Sequence, residues 1–92
     1  MPLQSASEFE AVLGQVVIKI DKHMVQYGED PNLKDAKRSL EKVIGAARDD
    51  ARLKALRGEL NELSEVLRTK LSKDEELRND LWDALDFIDY GI

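Results

Sequence analysis

Apolar side chains recur three and four residues apart along most of the chain, the period of helices that each bury one face. Phe9, Leu13, Val16, Ile20, Met24 and Tyr27 form the first such stripe. Ser7 and Glu10 have the spacing of a capping box, and Gly28 stands where a terminating glycine belongs, so the pattern predicts a helix over 8–27. The short run Val16-Val17-Ile18 has strand propensity, but the sequence offers no second strand to pair with it. Asp30 followed by Pro31 reads as a cap and first helical position. The stripe Leu33, Ala36, Leu40, Val43, Ile44 and Ala47 then predicts a helix over 31–48.

Leu53, Leu56, Leu60, Leu63 and Leu67 make a short leucine seam over 51–71. That seam is out of phase with the stripe before it, and the slip falls at Arg48-Asp49-Asp50. A turn with an aspartate cap accounts for it, as would one long helix with a phase shift. Ser72 and Glu75 repeat the capping-box spacing, and Leu77, Leu81, Ala84, Leu85 and Ile88 carry a last helix over 73–90, ended by Gly91. Four helices with short connections predict an all-α fold, an antiparallel up-down four-helix bundle forming one domain over 1–92.

The first helix has more apolar surface than such a bundle can use. Ala11, Gly14, Ile18 and Val25 run along the side away from its main stripe. A helix that is apolar on two faces is either central in its own fold or shared with another chain. Trp82 also falls outside its helix's core stripe, and tryptophan is favoured at interfaces. Ala11, Gly14, Ile18, Val25 and Trp82 are therefore the candidate interface, with a second copy or a protein partner as its occupant.

Composition narrows the chemistry. The chain has 92 residues, 36% of them charged, and no cysteine, which excludes disulfides, thiolate metal sites and a cysteine nucleophile. No apolar run approaches the roughly 20 residues of a membrane-spanning helix. The first residues lack the basic and apolar regions of a secretory signal, so a cytoplasmic protein is expected. Net charge is −5, divided as −3 over 1–32, +4 over 33–57 and −6 over 58–92. Such a balance argues against nucleic acid as a partner and points to charge pairing between helices or chains.

His23 borders the apolar stripe of the first helix and reads as a boundary residue. Histidine phosphotransfer domains carry a lysine where Gln26 stands. The run Glu65 to Leu71 has the look of a histidine-kinase box without its histidine or proline, and is read as coincidence. No catalytic residue set follows from the sequence pattern, and no cofactor is expected.

Two acidic pairs give an alternative. Glu59-x-x-Glu62 and Asp80-x-x-Asp83 each place carboxylates one helical turn apart, close enough to share a divalent cation. The segments Gly58–Leu67 and Leu77–Ile88 that contain them resemble the E-x-x-E … E-x-x-D signature of MazG-type all-α nucleotide pyrophosphohydrolases. The resemblance implies Mg²⁺ held by Glu59, Glu62, Asp80 and Asp83, and cleavage of nucleoside triphosphates to monophosphate and pyrophosphate. Asp80 stands where that signature has its third glutamate. On a helical wheel, Glu62 and Asp83 project away from the apolar stripes of their helices. Folding about Ser72 would set Glu62 level with Trp82.

Overall fold

The computed structural model describes residues 3–92; Met1 and Pro2, the first residues of the expected 1–92 domain, lie outside them. The chain forms α1 (Ala6–Tyr27), α2 (Pro31–Gly45), α3 (Asp50–Ala55), α4 (Arg57–Lys70) and α5 (Glu75–Asp86), and α5 runs on into a π-helical turn, Phe87–Gly91. Among the described residues there is no strand. The all-α expectation holds. The count is five helices, because the leucine-seam segment is two.

Except for α4, which follows Leu56 without a side-chain cap, the α-helices start at residues whose side chains accept a free backbone N–H, and two of the expected caps are wrong. The α1 cap is Ser5, whose Oγ accepts from the Glu8 N–H at 3.2 Å. Ser7 and Glu10 turn instead to one guanidinium: Arg48 donates to Ser7 Oγ at 3.1 Å, and its Nε lies 3.0 Å from Glu10 Oε1. The latter is an ionic contact, since Oε1 accepts no aligned hydrogen bond. Asp30 caps α2 as expected, accepting from the Asn32 N–H at 2.9 Å with Pro31 in the first turn. α2 ends at Gly45, three residues early, in a turn that Asp49 closes by capping α3 through the Arg52 N–H at 3.2 Å. The phase slip is thus a turn, placed where the sequence put it.

The α3–α4 division falls at Leu56, whose N–H is shared between the carbonyls of Arg52 and Leu53, both at 3.1 Å. Leu53, Leu60, Leu63 and Leu67 are buried while Leu56 is only half-buried. The bend frees α3 to pack against the π-helical turn as well as α4. At the last helix, Asp74 takes the place expected of Ser72: its Oδ1 accepts from the Leu77 N–H at 2.9 Å and from Lys19 Nζ of α1 at 3.1 Å. One carboxylate both caps α5 and ties it to α1.

α1 packs on α2 and α5, and α4 packs on the same two helices, so α1 and α4 lie diagonally opposed. Cross-pairs give the directions. Asp21 meets Lys37 and Glu10 meets Arg48; Asp30 meets Lys70 and Glu59 meets Lys42; Arg57 meets Asp89; Lys19 meets Asp74 and Phe9 meets Phe87. In each neighbouring pair, residues early in one helix meet residues late in the other, so neighbours run antiparallel. Phe9, Leu13, Val16 and Ile20 of α1 join Leu33, Leu40, Leu60, Leu67, Leu77 and Leu81 in one buried cluster. Ser64, a buried polar side chain, is satisfied within its helix by donating to the Leu60 carbonyl at 2.7 Å. Phe87 in the π-helical turn lies 5.1 Å from Phe9, ring to ring. A Cβ at Gly91 would fall 2.8 Å from the Phe87 ring, so a larger residue there would have to displace that ring.

Asp74→Ala removes a cap and a cross-helix tie together, and is expected to cost about 1 kcal/mol by urea denaturation at neutral pH. Burial alone would raise the Asp74 carboxyl, but hydrogen bonds from the Leu77 N–H and Lys19 outweigh it and hold the group below its ordinary value. The contribution is therefore present above the normal carboxylate range and lost as the pH falls through the folded value. The wild-type advantage over Asp74→Ala should narrow on acidification; an advantage independent of pH would contradict this account.

Candidate interaction surfaces

The four buried positions of α1 recur three and four residues apart and occupy one side of the helix. Its other apolar side faces outward, as the helical period requires. Ala11 is exposed, Ile18 is 46% exposed and Val25 is 89% exposed. Gly14 lies between them, and a Cβ built there would meet nothing within 4 Å. Packing within the chain therefore gives no reason for a glycine in the middle of this helix.

Beside Val25 the α1–α2 contact opens into a groove of about 650 Å³. Met24 and Val25 are its apolar lining, and its charged lining is balanced, with Lys34, Lys37 and Arg38 of α2 beside Asp21, Glu29 and Glu41. Lys37 Nζ is 2.8 Å from Asp21 Oδ1, and this hydrogen bond raises the lysine pKa. Lys34 pairs with Glu29 at 2.8 Å, lowering the Glu29 pKa. Arg38 reaches Asp35 only at 4.0 Å, leaving its guanidinium the least committed of the three cations.

Trp82 is 52% exposed, but it does not share a face with the α1 stripe. Its ring lies under the Arg68 guanidinium of α4, 4.9 Å from the ring centroid, on the outside of the α4–α5 pair. Since α1 contacts α2 and α5 while α4 contacts the same two, the α1–α2 groove and the α4–α5 ridge are on opposite sides of the molecule. The Arg57–Asp89 bidentate pair, at 3.1 and 3.0 Å, sets the α4–α5 register and places position 82 opposite Ser64, two residues from Glu62. Arg68 reaches the ring because its side chain folds back along α4, its Nε donating to the Ser64 carbonyl at 3.3 Å. The expected five-residue interface is thus two surfaces. Tyr27, expected at the end of the α1 core stripe, is instead exposed where the helix runs out beyond its neighbours, with its ring 4.7 Å from the half-buried His23 ring; Tyr90 is exposed as well.

The four candidate metal carboxylates are divided as well. Glu59 faces α2, where Ser39 Oγ donates to it at 3.0 Å and Lys42 Nζ at 3.1 Å, and these two partners hold its pKa below the ordinary value. Glu62 is exposed beside it along the α2–α4 groove. Asp80 and Asp83 are half-buried on α5, where Asp80 feels Lys19 of α1. The structure brings each pair together along its own helix and does not join the two. Among the described residues no group of three or more His, Asp or Glu side chains is placed to hold a metal ion. Farther along the chain, Asp86 is exposed, while Asp89 pairs with Arg57.

No protein-family model, curated protein or solved structure matches the chain. No helix among the described residues is long and apolar enough to cross a membrane.

Asp80 supplies a check on the α1–α5 side. Burial, with Glu76, Asp83 and Asp74 nearby, raises its carboxyl pKa against the opposing pull of Lys19. A carboxyl whose folded pKa exceeds its unfolded value costs stability once the pH has risen through that range. Asp80→Asn should therefore raise the urea midpoint at pH about 7, with the gain shrinking toward pH about 4. A loss of stability at neutral pH would show that Asp80 is held by favourable partners instead.

Proposed function

We propose that this chain is a non-catalytic helical interaction module of the cytoplasm that works by associating with further copies of itself. The observation that carries the reading is the position of Ile18 and Val25, apolar side chains on the outside of a helix whose other face already fills the core. In this reading the four longer helices act as an antiparallel up-down bundle whose interior is complete, so the second face of α1 is surplus to it. Fully covering Val25 and the exposed half of Ile18 would contribute a few kcal/mol per chain, on the order of 25 cal/mol per Å² of apolar surface. That is a large fraction of the stability of so small a domain.

Gly14 supports the same reading. A glycine inside a helix costs about 1 kcal/mol relative to alanine. Nothing within the chain needs that small residue, whereas a second backbone approaching the helix would.

Sedimentation velocity from about 10 to 300 µM tests the reading. The wild type is expected to shift toward larger species with concentration, while Ile18→Glu keeps its helical circular dichroism and sediments as a monomer throughout. Gly14→Ala should stabilise the monomer by about 0.5–1 kcal/mol while weakening association. A wild type that stays monomeric across the range, or an Ile18→Glu variant that unfolds, would sink the proposal.

A further inference from the structure

Self-association through α1 leaves open how the two copies are oriented. Resting on that reading, we infer that α1 pairs with α1 of a second copy in antiparallel orientation about a two-fold axis, with Ile18 of each copy seated against Gly14 of the other.

The outer face of α1 complements itself in one direction and not in the other. Ser7, Ala11, Gly14, Ile18, Asp21 and Val25 alternate four and three residues apart, the spacing of a helix–helix seam. With Ile18 opposite Gly14 in an antiparallel pair, Val25 falls opposite Ser7 and Asp21 opposite Ala11. Each larger side chain then meets a small one. The space beside Gly14, where a Cβ would meet nothing within 4 Å, receives the branched side chain of Ile18. A parallel pair sets every seam residue against itself. Gly14 on Gly14 would leave a gap, and Asp21 on Asp21 would bring two carboxylates together inside the contact.

Charge points the same way. Glu8, Gln15 and Lys22 are spaced seven apart along one edge of the seam, and all three are exposed. Antiparallel pairing turns this edge toward the same edge of the second copy. Glu8 of each copy then meets Lys22 of the other, with the two Gln15 side chains at the axis. Among the described residues neither Glu8 nor Lys22 has an ion pair, whereas Asp21 is held by Lys37, Glu10 by Arg48 and Lys19 by Asp74. The other edge is neutral. The α1–α2 groove beside Val25, with three acids against three cations, comes level with the paired Glu10 and Arg48 near Ser7 of the second copy.

A two-fold contact uses the same surface on both copies and closes as a dimer. From Ser7 to Val25 the seam rises about 27 Å at 1.5 Å per residue. A single helix pair of that length is an interface of the small, transient kind, so the dimer dissociates on dilution. The Trp82 ridge stays outside it.

The test uses the full-length chain, which has no cysteine of its own, so an introduced thiol reports its own neighbour. Ser7→Cys and Val25→Cys are mixed at equal concentration in a glutathione redox buffer, at a concentration where the wild type associates. The mixture is expected to give a disulfide-linked heterodimer, and each variant alone no more linked dimer than it gives in urea. Lys22→Glu and Glu8→Lys, at sites that hold nothing in the fold, are each expected to keep the wild-type circular dichroism and to weaken the dimer about tenfold at low salt. Mixing these two proteins, or combining both changes in one chain, should restore the affinity. Linked homodimers of Ser7→Cys or of Val25→Cys alone would mean a parallel pair. Those homodimers, a mixture without heterodimer while the wild type associates, or charge variants that associate as tightly as the wild type each overturn the antiparallel contact and leave self-association standing. A wild type that never associates removes both.

Discussion

A helix packed between two neighbours can give the core one stripe, and in α1 that stripe is Phe9, Leu13, Val16 and Ile20, all fully buried. Everything else about the surface follows from that limit. Residues on the far side of α1 cannot reach the interior whatever their chemistry, so Ile18 is left 46% and Val25 89% exposed. The same limit works in reverse on α5. Leu77, Leu81, Ala84, Leu85 and Ile88 use its inward side, which turns Trp82 toward α4 and solvent.

The leucine and phenylalanine cluster supplies stability, while the ion pairs supply register. Lys19–Asp74, Lys70–Asp30, Arg57–Asp89 and Arg48–Glu10 join helices near their ends. Pairs this exposed are individually worth about 0–1 kcal/mol, too little to hold the fold. What they do is discriminate between helix registers that the leucine seam alone would tolerate, since a shift by one turn would break all of them at once. Asp74 shows how economical the arrangement is. A single carboxylate ends the turn after α4, caps α5 and binds α1 through Lys19.

Much of this was legible in the sequence where one physical signal acted alone. The Asp30-Pro31 start and the break near Asp49 were readable because a cap and a phase slip are local. The buried faces were readable because apolar spacing is a one-dimensional record of them. The Ser7 and Ser72 caps failed because a serine with a glutamate three residues later is common in a highly charged chain, and longer-range partners decided the matter: Arg48 drew Ser7 and Glu10 away, and Lys19 favoured Asp74. The bend at Leu56 left no mark in a seam whose spacing is unbroken. Trp82 and α1 were correctly read as exposed apolar features, yet nothing local records that they face opposite ways. That depends on which helices are diagonal. The carboxylate pairs show the same gap, because spacing along a helix says nothing about whether two helices turn their acids toward each other.

The claim on which the rest depends is that the two apolar sides of α1 have different roles, and a matched pair of substitutions tests it most directly. Ile18 and Ile20 are the same residue type, two positions apart in the same helix, one half-exposed and one fully buried. Urea denaturation of Ile18→Ala and Ile20→Ala, at a concentration low enough to keep the protein monomeric, compares them with chemistry held constant. The account requires Ile20→Ala to lose about 2–5 kcal/mol and Ile18→Ala to stay within about 0.5 kcal/mol of the wild type. Comparable losses at both positions would place Ile18 inside the fold and contradict it.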